Sequence, residues 1–454
     1  MNNDSPRLAI LGAGPKSCAI WTKHVALMDE GITTAPISII ERSHVAANWT
    51  GAQGYTDGTQ YLVSPSEQDL GFPYSSEVFG AKLTPRLTAR MFKYSWQNFL
   101  LSVGGYPEWV ARDRPRAPHF QFSDYLGWAA RAAKLQVIQS EIAKISIDDQ
   151  NRWRLESLSG EVIEVASGLV VTGNGKPRRL AGQPSEHDRI WDGETYWMNK
   201  HKLSRSVLAR IAVIGSGETA AAIACSMLDH ISADAVIELI CKQYAYFTRA
   251  DVAKDLIHFS DPSYWRALRE GRRISIMRRA DRGVVSGAIK AKLEESKLVE
   301  YTTAEAHSIE VSPQDEIFLT LKYGGHLEKV DYQFVVIATG FDAMWFFELF
   351  DEPVKLRLMQ NIISKMTRTQ IETLETALDS KATADIWLSK YAQPSVSRIL
   401  ERSVELLIDK DLSIEGFVPK LHLPMLAGLN QGPGFPNLNC LGLLADRILK
   451  SYLV

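Results

Sequence analysis

Residues 210–228 read RIAVIGSGETAAAIACSML: a short apolar run, then Gly215-x-Gly217-x-x-Ala220, then an Ala-rich stretch with helical spacing. The pattern predicts a buried strand, a tight turn and a helix. Glycines let such a turn approach a pyrophosphate, and the helix N-terminus supplies free amides and a positive dipole. A single motif of this kind is weak evidence. Residues 7–21, RLAILGAGPKSCAIW, repeat the form with Gly12, Gly14 and Pro15. Two such turns predict two dinucleotide-binding folds and raise the question of what passes between them.

The surroundings of the two turns differ. After the first, a helical stretch stops at Gly31 and a strand (APISIIERS) ends in Glu41, where an acid suits a ribose 2′-hydroxyl. Glu41 follows Gly14 by 27 residues (41−14), longer than the usual spacing of about 20, and Ser17 stands where a third glycine is common. After the second turn, whose helix opens with Glu218 and Thr219, the strand in AVIELICKQ ends at Cys241-Lys242. A cation there suits a 2′-phosphate. The first crevice is therefore expected to hold the ADP half of FAD. The second is expected to hold NADPH through Lys242 and Arg249, with NADH as the alternative. A nicotinamide donates hydride and a flavin accepts it, so the pair gives electrons a path through the chain. GLVVTGNG and YQFVVIATGFD, the latter ending in Thr339-Gly340, read as the strands that carry the chain between the two domains.

Composition narrows the partners. The 454 residues suffice for two or three domains, and 51 Lys and Arg against 53 Asp and Glu give a net charge of −2. That balance argues against nucleic acid and anionic membranes as partners. No apolar run reaches the roughly 18 residues of a membrane span. The first residues, MNNDSPRLAILG, hold an acid and no basic stretch, so no signal peptide is expected and the protein is read as cytoplasmic. Cys18, Cys225, Cys241 and Cys440 form no C-x-x-C, which excludes a redox-active dithiol of that kind and favours buried thiols. The ten histidines are dispersed, and no metal site is expected.

The predicted fold class is α/β: two Rossmann-like dinucleotide-binding domains (FAD and NADPH) with a small, mostly helical substrate-binding region. Residues 1–205 form the first part of the FAD domain, 206–334 an inserted NADPH domain, and 335–454 return to the FAD domain with the helical region. Residues 45–115 read as an irregular loop, 181–206 as a polar connection between domains, and 345–415 as helical. A Gly/Pro-rich loop, LNQGPGFPNLNC, feeds a terminal helix expected to start near Asn437.

Several segments carry a family resemblance: ANWTGAQGYTDG with SPSEQDLGFPY, YSWQNFL, FSDP at 259–262, ADRGVVS from Ala280, ATGFD, and LNQGPGFPNLNCLGLLADRIL. Together they resemble the siderophore N-hydroxylating flavin monooxygenases, in order over nearly the whole chain. The resemblance implies FAD, NADPH and O₂, with N-hydroxylation of a primary amine through a flavin C4a-hydroperoxide. It implies no side chain acting as acid, base or nucleophile. It places Asn48 and Trp49 among the cofactor-binding residues and the start of the last helix, near Asn437, against the flavin.

The chain departs from the family where relatives hold the α-carboxylate of lysine or ornithine. Gln68 aligns with their lysine and Leu256 with their asparagine. A carboxylate buried against leucine without a cation costs several kcal/mol. The substrate is therefore read as an aliphatic diamine, putrescine first and cadaverine second, with Asp255 and Asp281 as candidate acceptors for the far ammonium. The alternatives are a lysine or ornithine N-hydroxylase, a peroxide-releasing NADPH oxidase-type flavoprotein, and a non-catalytic redox sensor. A homo-oligomer is expected.

Overall fold

The computed structural model describes residues 6–203, 210–243, 246–248, 253–280, 284–391 and 393–454. Each Gly-rich turn follows the central strand of its own five-stranded parallel sheet. In the first sheet the strands run in the order Lys420–His422, Gly168–Val171, Leu8–Leu11, Ile37–Glu41 and Val137–Gln139. In the second the order is Val299–Thr303, Val236–Cys241, Arg210–Ile214, Phe334–Ile337 and Ile190–Asp192. From each central strand the chain first joins the neighbour on one side, and a later strand pairs on the other. Leu8 lies opposite Ile37 and Gly168, and Ile211 opposite Ile237 and Phe334. This reversal opens a crevice at the carboxyl ends of the strands. Both faces of the central strands are covered, so their residues are apolar without alternation.

The helices that follow the turns are Pro15–Asp29 and Glu218–Met227. A three-stranded antiparallel sheet accompanies each parallel one, 142–166 in the first half and 305–332 in the second. The two crossover segments run side by side between the sheets. The Arg178 amide donates to the Gly340 carbonyl, and the Asp342 amide to the Lys176 carbonyl, both at 2.9 Å.

The structure differs from the sequence reading in three places. Residues 45–115 are not one irregular loop: they include helices Thr84–Phe92, Trp96–Ser102 and Tyr106–Ala111. Two of the residues that suggested a loop, Pro85 and Pro107, stand in first helical turns, where proline loses no intrahelical bond. The stretch 181–206 is not a bare connection. It supplies the edge strand Ile190–Asp192 and the helix Gly193–Asn199, anchored by buried Trp191, Tyr196 and Trp197. The terminal helix starts at Leu441, one turn after Asn437. The Asn437 side chain instead donates to the Pro433 carbonyl at 2.6 Å, and Asn439 and Cys440 turn outward to other segments. The Asn437 bond is local and competes with a helical start, while the other two are long-range contacts. The helical reading of 345–415 agrees with four helices between Glu352 and Leu406.

All four cysteines are buried and unpaired, and burial pushes the Cys18 thiol up to about 12. Among the described residues no helix is long and apolar enough to cross a membrane, and no group of His, Cys, Asp or Glu could hold a metal.

The terminal helix Leu441–Lys450 is buried along nearly its whole length against the first helix. Two charges are buried in this packing: Lys23 on the first helix pairs with Asp446 at 2.6 Å, their side chains 5% and 0% exposed. Removing one member strands the other in the interior, at a cost of about 3–5 kcal/mol, whereas an apolar pair of similar size is tolerated. Lys23→Met is expected to lower the calorimetric melting temperature by several degrees, and Lys23→Met with Asp446→Leu to recover most of it. Equal loss in the single and double variants would show that the helix contact depends on something other than this pair.

Candidate active site

At the first crevice Gly14 caps the first helix with φ −84° and offers no side-chain cap, and Pro15 follows. A Cβ on Gly14 would meet no protein atom within 4 Å, so the space in front of the helix N-terminus is open. Gly12 precedes it at φ +90°, against Thr172 just past the end of the neighbouring strand. Glu41 stands at the end of its strand as expected. Its carboxylate accepts from the Ala13 amide inside the turn and from the Ser43 amide, each at 2.9 Å. Ser17 at the third-glycine place donates back to the Gly12 carbonyl at 2.5 Å, which fixes the turn without a glycine. Asn48 and Trp49 lie on the short helical turn Ala47–Trp49. The Trp49 ring meets His119 and Phe122 edge-on, and burial lowers His119 to about 4, which keeps it neutral.

The second crevice repeats the arrangement. Gly215 has φ +142°, and a Cβ there would overlap the Ala338 carbonyl oxygen, so only glycine fits. Gly217 caps the second helix at φ −98°, again without a side-chain cap. Glu218 accepts from the Ser286 amide at 2.7 Å, and Thr219 packs against Gly193. Thr339 and Gly340 are exposed on the crossover segment. Lys242 is exposed at the strand end, where its ammonium lies 2.5 Å from Glu305 and holds that carboxyl below its usual range. Any phosphate there competes with Glu305 for the lysine. Arg249 lies outside the described residues. Two uncapped helix N-termini behind glycine turns fit two pyrophosphates.

Both halves converge on the loop 428–440. Lys16, the residue after Pro15, donates to the Pro436 carbonyl at 2.8 Å. Gln68 is buried, and its side-chain oxygen accepts from the Asn439 amide, also buried. From the second half, Phe259 offers its carbonyl to the Cys440 thiol at 2.9 Å, and the Trp265 indole donates to the Leu429 carbonyl at 2.9 Å. Phe259 and Trp265 belong to helices Ala253–Ser260 and Pro262–Ala267. The first of these also carries Leu256, half-buried, and Asp255, exposed. The loop thus touches Gln68 directly and meets the Leu256 helix through Phe259. Asp281 lies outside the described residues. Asp69, beside Gln68, is fully buried; burial raises its carboxyl to about 7 although it accepts from the Trp96 and Gly71 amides and the Tyr74 hydroxyl. Those three donors fasten the chain next to Gln68 to residues 71–96.

Sequence reading missed Glu77. Its carboxylate accepts from Arg447 of the terminal helix at 2.5 Å and from Arg266 and Ser263 of the helix Pro262–Ala267 at 3.0 and 2.7 Å. Partial burial pushes this carboxyl up, but the Ser263 hydroxyl and the two guanidiniums outweigh it and hold it at about 2. A lone acid in a loop gives no signal in sequence, because its partners lie about 190 and 370 residues away.

Comparison with known proteins adds kinship to this geometry. The family model described as L-lysine 6-monooxygenase/L-ornithine 5-monooxygenase matches residues 88–343. The chain is 35% identical to the L-lysine N6-monooxygenase MbtG of Mycobacterium sp. (strain MCS), over 98% of this chain and 95% of that one. The solved structure of the lysine monooxygenase NbtG from Nocardia farcinica superposes with a TM-score of 0.77 at 30% identity, covering 98% of this chain and 100% of that one. The cadaverine monooxygenase DfoA of Erwinia amylovora, solved with FAD, shares the fold at 17% identity and a TM-score of 0.64, covering 98% and 94%.

Glu77 is expected to hold the helices 253–267 against the terminal helix. Charge-assisted bonds contribute about 1.5–3 kcal/mol, so Glu77→Gln should speed amide hydrogen exchange in 255–267 by about ten- to hundredfold. Exchange there at the wild-type rate would show that Phe259 and Trp265 seat these helices without the carboxylate.

Proposed function

The chain belongs to the L-lysine 6-monooxygenase/L-ornithine 5-monooxygenase family of N-hydroxylating flavoenzymes, and from that premise we propose that it N-hydroxylates a primary amine with FAD, NADPH and O₂ in siderophore biosynthesis. FAD takes the first crevice, with its pyrophosphate on Gly12, Gly14 and the first helix and its ribose toward Glu41. NADPH takes the second, on Gly215, Gly217 and the second helix, with Lys242 released from Glu305 toward the 2′-phosphate. When bound, the flavin supplies the chemistry that receives hydride and activates oxygen. The protein positions the partners and excludes water. The observation that carries this reading is the convergence of the first turn, the Gln68 loop and the helices of the second half on residues 428–440. Buried Phe259, Trp265, Leu429 and Phe435 keep that junction dry, which protects an oxidising centre from wasteful reaction with water. A neutral amine held there needs orientation more than acid–base help.

For the substrate we favour an amine without an α-carboxylate, a diamine such as putrescine first and cadaverine second. What supports this is the buried, uncharged Gln68–Asn439 pair and the aliphatic Leu256, at positions where the resemblance leads one to expect a lysine and an asparagine. Neither side chain carries a charge, so a carboxylate would be desolvated there without the cation that the resemblance places at residue 68. Lysine is the second reading, favoured by whole-chain kinship to lysine N6-monooxygenases. The fold does not decide, since the Erwinia enzyme with the same fold is a cadaverine monooxygenase.

The test is direct measurement of hydroxylamine product, not NADPH consumption, across putrescine, cadaverine, ornithine, lysine and an amine with an uncharged far end. The diamine reading expects kcat/KM for putrescine to exceed that for lysine and ornithine. Gln68→Lys with Leu256→Asn should shift the ratio toward the amino acids by about tenfold, the equivalent of roughly 1.4 kcal/mol. Higher kcat/KM for lysine or ornithine in the wild type would overturn the diamine and leave the N-hydroxylase standing.

A further inference from the structure

Lys16 is 7% exposed, in the first turn of the first helix. Its ammonium has three donors, and among the described residues a single acceptor, the Pro436 carbonyl at 2.8 Å, meets it. Among the described residues no carboxylate forms an ion pair with it, and burial lowers its pKa to about 8 with no charge partner opposing the shift. The same helix shows how this fold treats a structural lysine. Lys23, two turns on and 4% exposed, is paired with Asp446 at 2.6 Å. A buried ammonium without a counter-ion costs several kcal/mol, and here the cost falls beside an uncapped helix N-terminus with no acidic residue in its first turn. The Glu41 carboxylate beside the turn is taken up by the Ala13 and Ser43 amides and forms no ion pair with Lys16 among the described residues. Two residues before Lys16 the turn leaves open space at Gly14, where a Cβ would meet nothing within 4 Å.

We propose that Lys16 is a cofactor-binding residue: its buried ammonium takes its counter-anion from the flavin dinucleotide, which it holds between the glycine turn and the 428–440 loop. The proposal rests on the reading of the first crevice as the FAD site. The anion is either the pyrophosphate or the electron-rich edge of the flavin ring, and both present oxygen acceptors to an ammonium. The bond to Pro436 then has a second consequence. It ties the loop to the ligand, so that loading the crevice orders the junction on which both halves converge. Without the dinucleotide the lysine is a net liability to the fold, and with it the lysine becomes an anchor.

The experiment compares wild type, Lys16→Gln and Lys16→Met as full-length proteins, stripped of flavin and reconstituted. Glutamine keeps a donor for Pro436 but no charge; methionine keeps neither. If the charge serves the cofactor, both variants bind FAD at least tenfold more weakly by fluorescence titration. The flavin-free Lys16→Met protein also melts above flavin-free wild type, because an uncompensated cation has been removed. The midpoint potential of the flavin that still binds then assigns the source. A potential lowered in Lys16→Gln places the ammonium at the flavin ring, and an unchanged potential places it at the pyrophosphate. Wild-type FAD affinity in Lys16→Gln, or a lower melting temperature for flavin-free Lys16→Met, would overturn the proposal and leave Lys16 as a strap for Pro436. Failure of the wild type itself to take up FAD would instead overturn the reading of the first crevice.

Discussion

Gly434 has no room for a side chain: a Cβ there would overlap the Phe259 carbonyl oxygen and press on the Cys440 sulfur. This close approach of two backbones, one from each half of the molecule, is the constraint on which the site depends. It lets the 428–440 loop lie flat against the helix that carries Phe259 while its other side reaches Lys16 and Gln68. The loop is in contact with the first helix beside its glycine turn, with the buried amide of Gln68, and with the helices of the second half. A chain that moves electrons between two dinucleotides needs such a junction, because the crevices stand on separate sheets.

The second coupling is covalent and hydrogen-bonded at once. The crossovers after Val171 and Ile337 are fastened to each other through Arg178 and Gly340 and through Lys176 and Asp342. Arg178 extends the fastening by donating to the Phe341 carbonyl and to Glu401 of the helical region, at 2.9 and 2.6 Å. Glu77 adds an ionic clamp between the terminal helix and the helices that seat the loop. Backbone bonds in the linkers are largely indifferent to salt. The Glu77 clamp is partly exposed and weakens as ionic strength rises. Beside the 428–440 junction, the two halves are therefore joined by a tie that salt leaves intact and one that salt weakens.

Much of this was legible in sequence. Strand, glycine turn and helix recur because their physical requirements are local: apolar residues for a covered strand, glycine where φ is positive or backbones touch, small residues in the helix that packs on the sheet. The order of motifs along the chain carried the family. What escaped reading depends on contacts across the molecule. Pro85 and Pro107 looked like loop residues because their place in a first helical turn shows only once a helix is recognised around them. The strand Ile190–Asp192 has three residues and is held by its partner Phe334–Ile337, so local pattern had nothing to report. Asn437 failed as a helix start because its side chain satisfies the loop instead. The role of Lys242 looks different once Glu305, 63 residues on, is seen beside it.

The central claim is that the two crevices hold different dinucleotides and hand electrons from the second to the first. Gly14 and Gly217 have φ of −84° and −98°, so a side chain at either place strains no backbone. At Gly14 it would project into open space within the crevice. The most direct measurement is the flavin absorbance of purified Gly14→Val and Gly217→Val proteins, followed after NADPH is added without oxygen. The account predicts colourless Gly14→Val protein and yellow Gly217→Val protein that bleaches at least tenfold more slowly than wild type. Flavin lost from Gly217→Val and kept by Gly14→Val would contradict it.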